Sequence, residues 1–109
     1  MEDAVVIDEC LPKRLVRLPP GHQVFTVPQL GLAGAKNGKL LQALSGRCRA
    51  FITVDSNLSF QQNLPRLPFA TLILSAASNR IEDIAPLAPS ILTVLGLAVP
   101  GSIHHIPSA

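Results

Sequence analysis

Asp8 and Glu9 stand side by side after the apolar run Ala4–Ile7, and Asp55 follows the apolar run Phe51–Val54. The chain has only seven acidic residues, so carboxylates at the ends of core-like segments call for a reason. Desolvating a carboxylate is costly unless a partner compensates it or it lies at a wet, functional rim. Carboxylates gathered at one rim repel each other unless a cation lies among them, and hard oxygen ligands surrounded by water suit Mg²⁺ or Mn²⁺. Spacing alone leaves a second reading open, in which each aspartate caps the helix or turn that follows it.

The elements that would position these residues can be read in order. "AVVI" at Ala4–Ile7 is a β-branched run without alternation, the pattern of a strand covered on both faces in a parallel sheet. "CLPKRLVRL" predicts a short helix with Pro12 in its first turn, stopped by "PPG" at Pro19–Gly21. "HQVFTV" predicts a second strand, "PQLGLAGAKNG" a glycine-rich loop, and "KLLQALS" a helix ending near Gly46. "AFITV" and "ATLILS" predict the third and fourth strands, with "LSFQQNL" as a brief helix between them. "RIEDIAPLAPSILTVLG" has helical apolar spacing, but Pro86 and Pro89 break or kink it, which predicts two helical pieces rather than one rod. "SIHHI" predicts a last strand at the sheet edge. Strands alternating with helices make a single α/β domain over residues 1–109, a three-layer α/β/α sandwich around a mainly parallel sheet of four to five strands. In such sheets ligands bind outside the carboxyl ends of the strands, where the winding direction reverses. Asp8 and Asp55 fall at that edge.

Composition sets the surroundings. A hydrophobic fraction of 48% with 15% charged residues predicts a folded core, and a formal charge of +2 is too slight to establish a polyanionic partner. The apolar stretch from Ile91 is too short to span a bilayer and "MEDAVV" lacks the basic start of a signal peptide, which points to the cytoplasm. Cys10 and Cys48 lack zinc-site spacing and are expected to be reduced, and neither has a His–Asp partner pattern for nucleophilic catalysis. His104 and His105 are adjacent on a predicted strand and point to opposite faces, so they cannot hold one metal together.

"VIDECLP" (Val6–Pro12), "LGLAGAKNGKLL" (Leu30–Leu41), "FITVDSNLSFQQNL" (Phe51–Leu64) and "LILSAASNRIEDIAPL" (Leu72–Leu87) resemble, in order, the signature blocks of the small PIN-like domains of bacterial toxin-antitoxin pairs. The resemblance covers most of the chain. It implies an α/β/α fold related to VapC-type ribonucleases, a site for Mg²⁺ or Mn²⁺ at the carboxyl ends of the strands, hydrolysis of RNA phosphodiesters, and a cognate antitoxin protein as inhibitor. Carried over residue by residue, Asp8 and Asp55 are the metal carboxylates and catalytic candidates, and Glu9 belongs to the first block. Strand alternation would turn Glu9 away from Asp8 if the strand continued that far, so its role stays open. Thr53 shares a strand face with Asp55, where its hydroxyl can orient the carboxylate or a water. Asn37 and Asn57 stand where members often carry further acids, which implies a single cation rather than a tight pair.

Lys13 on the helix after Asp8, Lys36 in the glycine-rich loop and Arg80 after the fourth strand are candidates to seat RNA phosphates, with Asn37 and Asn57 as amide contacts. Glu82, three residues after Asn79, also fits a capping box. Two other functions stay open. A protein-binding module that keeps the fold without catalysis would suit Asn37 and Asn57. A phosphoacceptor signalling domain also places acids after its first and third strands, with Ser75 as the hydroxyl after the fourth, but no Lys follows Lys39 to supply the cation after the fifth. Apolar residues from Leu92 to Val99 are expected to be covered by a second copy, as a homodimer, or by the antitoxin.

Overall fold

In the computed structural model, which describes residues 4–12, 23–35, 37–54, 66–78 and 80–106, the apolar runs become short strands of one sheet. They are Val5–Ile7 (β1), Val24–Thr26 (β2), Ala50–Thr53 (β3), Ala70–Leu74 (β4) and Ile103–Ile106 (β5). Their order across the sheet is β2-β1-β3-β4-β5, and every neighbouring pair is parallel. The helices are Asn37–Leu44 (α1), Ile81–Ile84 (α2) and Ala88–Leu97 (α3), with 3-10 turns at Pro28–Leu30 and Ala85–Leu87.

Alternation along the strands builds a layer of core on each face. Val5, Ile7, Ala50, Ile52, Ala70, Leu72 and Leu74 pack with Ile84 of α2 and Ile91 and Leu95 of α3. Val6, Phe51 and Ile73 pack on the opposite face with Leu40, Leu41 and Leu44 of α1. This is the expected three-layer arrangement, with a sheet parallel throughout. The helix expected at Cys10–Leu18 and the brief one at Leu58–Leu64 lie largely outside the described residues.

Pro86 and Pro89 divide the last helical stretch as expected, because each occupies a first-turn position of the piece it begins, where no backbone N–H is needed. The capping box at Glu82 does not form. The residue entering α2 is Arg80, in extended conformation and without a side-chain cap, so Glu82 stands too early in the helix to reach back. Glu82 instead pairs with Arg80, while the Ser78 hydroxyl donates to Asp83 Oδ2 at 2.5 Å. At the end of the last helical stretch Leu97 and Val99 are exposed, 72% and 59%, beside the buried Ile91 and Leu95.

A long-range polar clamp holds α3 to the sheet. Arg49 leads into β3, its backbone N–H donating to Ala4 and its carbonyl accepting from Ala70. Its guanidinium Nη2 donates to the Leu95 carbonyl at 2.8 Å, one of the last-turn acceptors that α3 cannot satisfy itself. Cys48 lies buried nearby, and burial, the chief cause, pushes its thiol from the usual 9.0 up to about 12, against opposing effects of the Ala50 backbone hydrogen bond and the Arg47 charge.

Replacing Arg49 by Ala is expected to cost about 1.5–3 kcal/mol in urea unfolding, the range for a hydrogen bond to a charged group. Cys48 yields a pH test. Folding favours its protonated form, so its contribution is fully present below the unfolded value near 9 and is lost as pH rises towards about 12. Unfolding curves at pH 8 and 10.5 are expected to show a loss of stability that Cys48→Ala largely removes.

Candidate functional site

The chain runs from β1 to β2 on one side and returns to β3 on the other, so the winding reverses between β1 and β3. The crevice beyond their carboxyl ends is where an open α/β sheet offers a ligand site. Asp8 follows β1 directly and Thr53 is the last residue of β3.

Asp8 is held on every side by local bonding. Its N–H extends the ladder by donating to the Ile52 carbonyl at 2.9 Å, and its own carbonyl accepts from Leu11 N–H at 3.0 Å, closing a tight turn over Asp8–Leu11. Leu11 drives that turn by burying itself in the core beneath. The half-buried carboxylate then accepts from Glu9 N–H through Oδ1 at 2.8 Å and from the Thr53 hydroxyl through Oδ2 at 2.8 Å. One side chain thus both steadies its own turn and joins the ends of β1 and β3. Of the four lone-pair sites of the carboxylate these two bonds take two, and a hydrogen bond with the Cys10 side chain takes a third.

Thr53 is fully buried, and its hydroxyl bridges the two central strand ends. It acts on Asp8 rather than reaching outward. Asp55, Lys13, Lys36 and Asn57 lie outside the described residues, as does the Asn37 side chain. Arg80 is exposed beyond β4, with Nε 3.5 Å from Glu82 Oε2. An ion pair this open is screened by water and leaves the guanidinium accessible to other anions.

Glu9 lies in the turn after β1, which ends at Ile7, so strand alternation does not extend to it. Its Oε1 accepts from Gly34 N–H at 3.2 Å, across 25 residues, and so joins the acidic turn to the glycine-rich loop. Gly34 has φ +80°, a conformation that other residues adopt only with strain.

Sequence reasoning set Cys10 aside, yet its thiol lies beside Asp8. Partial burial and then the Asp8 charge raise its pKa, opposed by a hydrogen bond from the Val54 backbone. The signal was present in the spacing, since an aspartate opening a tight turn brings the residue two positions on close to itself.

For a hard cation the donor chemistry at Asp8 is suitable: a carboxylate at the rim with a fixed orientation. Among the described residues no group of three or more His, Cys, Asp or Glu side chains converges to hold a metal. A complete set would draw on Asp55. Comparison with protein-family models, curated proteins and solved structures finds no match to this chain. None of the described helices is long and apolar enough to cross a membrane.

The Asp8–Thr53 bond is testable by a double-mutant cycle. Asp8→Ala, Thr53→Val and the double variant are expected to give a coupling energy of about 1–2 kcal/mol in denaturant unfolding, because the pair is in direct contact and partly shielded. Additive effects would dissolve the pair as a unit.

Proposed function

We propose that this chain is a Mg²⁺- or Mn²⁺-dependent ribonuclease of the PIN-like toxin type, hydrolysing RNA phosphodiesters at the carboxyl-terminal rim of its sheet. The observation that carries the reading is Asp8: a half-buried carboxylate fixed at the β1/β3 reversal by Thr53 and by its own turn. The resemblance of the sequence blocks supplies the reaction class.

In this reading Asp8 and Asp55 hold the cation. Such a cation supplies an activated water and neutralises charge developing on the phosphate. Thr53 keeps the Asp8 carboxylate in one rotamer, so that the ligand is preorganised rather than recruited. Arg80 beyond β4, together with Lys13 and Lys36, attracts the RNA backbone, and Asn37 and Asn57 contact phosphate or water. The protein works in the cytoplasm, with an antitoxin protein as its inhibitor. The exposed Leu97 and Val99 give that inhibitor, or a second copy in a homodimer, apolar surface to cover.

The deciding experiment combines RNA cleavage with a melting curve, with and without millimolar Mg²⁺ or Mn²⁺. The unmodified protein is expected to cleave and to melt higher with metal, the shift following the logarithm of metal concentration over its dissociation constant. Asp8→Asn and Asp55→Asn are each expected to remove both effects while the metal-free domain stays folded. Cleavage that survives both substitutions, or a protein indifferent to metal in both assays, would overturn the reading.

A further inference from the structure

We infer that Glu9 is a positioning residue that holds the glycine-rich loop against the rim, and is not a ligand of the cation. The inference rests on the ribonuclease reading for its catalytic consequence, but the tether itself is a feature of the fold.

A cation ligand at this position would turn its carboxylate towards Asp8. Glu9 instead accepts from the Gly34 N–H through Oε1. Its backbone N–H is taken by Asp8 Oδ1, which fixes the peptide. The loop around Gly34 is otherwise satisfied from within: Leu32 N–H donates to Val27, and Ala35 N–H donates to Leu32. Leu30, Leu32 and Ala35 pack against the core on the α1 face, so the loop is anchored from below by apolar contact. Glu9 anchors it from the rim side. The positive φ of Gly34 lets the backbone turn there.

The consequence follows from chain order. Lys36 lies just beyond Gly34, and α1 begins at Asn37, so the segment carrying the substrate-binding candidates is joined through one hydrogen bond to the residue next to Asp8. A substrate phosphate at Asp8 then meets a loop already in place, which lowers the ordering cost of binding.

Glu9→Ala removes the acceptor, whereas Glu9→Gln keeps a carbonyl oxygen there while discarding the charge. The readouts are hydrogen exchange of the Gly34 amide, Mg²⁺ affinity from melting curves, and kcat and KM on a labelled mixed-sequence RNA oligonucleotide with Mn²⁺. Expected for Glu9→Ala are roughly tenfold faster Gly34 exchange, unchanged Mg²⁺ affinity, and KM raised roughly tenfold with kcat within about threefold. Glu9→Gln is expected to recover both the exchange protection and KM. Gly34 protection that persists in Glu9→Ala overturns the tether. Loss of Mg²⁺ affinity in both variants makes Glu9 a ligand and overturns the proposal as well. If the unmodified protein cleaves no RNA, the ribonuclease reading fails by itself, and Gly34 exchange still decides the tether.

Discussion

Everything else in this domain follows from a sheet whose central strands are buried on both faces. Every residue of β1, β3 and β4 is buried. A carboxylate cannot be placed within such a strand without a large desolvation cost, so acidic groups are displaced to the strand ends, where water is within reach. Because all the strands run the same way, their carboxyl ends share one edge of the sheet. Topology then selects a point on that edge. The chain winds outward from β1 in one direction and returns in the other, and the first acidic turn lies where the directions part. Asp8 is thus at the reversal because burial excludes it from the strand and β1 occupies an inner position of the sheet.

The apolar part of this architecture was legible. Runs such as "AVVI" and "ATLIL" carry β-branched side chains without polar alternation, and this admits few settings besides a sheet covered on both sides. Pro86 and Pro89 marked the breaks in the last helical stretch because the lack of an N–H is a local property that no tertiary contact alters. The polar connections were less legible. The Asp8–Thr53 bond joins residues 45 apart, Glu9–Gly34 spans 25, and Arg49–Leu95 spans 46. No periodicity encodes such pairs; they become visible only once strand register is known. The capping box at Glu82 failed for a related reason. A motif four residues long depends on the exact first residue of the helix, and at α2 the residue entering the helix is Arg80, its N–H taken by the Ser78 hydroxyl.

Asp8 also shows why a choice between a structural and a chemical aspartate is too sharp. One oxygen steadies the turn through Glu9 N–H and the other takes the Thr53 hydroxyl, and both bonds restrict the same side-chain rotation. A carboxylate free to rotate would lose entropy on binding any ligand. One already fixed has met that cost during folding. Under the proposed function these structural bonds would prepare the group for a ligand rather than compete with it.

The uniformly parallel pairing also bears on how the domain reaches its native state. Parallel neighbours cannot be joined by a tight hairpin, so no two strands here can zip together locally. β1 pairs with both β2 and β3, and the connection from β4 to β5 runs through α2 and α3. Loop closure must be met in entropy before each pairing contributes, which places the chain among slow folders for its size. In the folded domain β5 covers the edge of β4 along Ala70–Leu74, and without β5 that edge would be open to pairing between chains during synthesis or refolding.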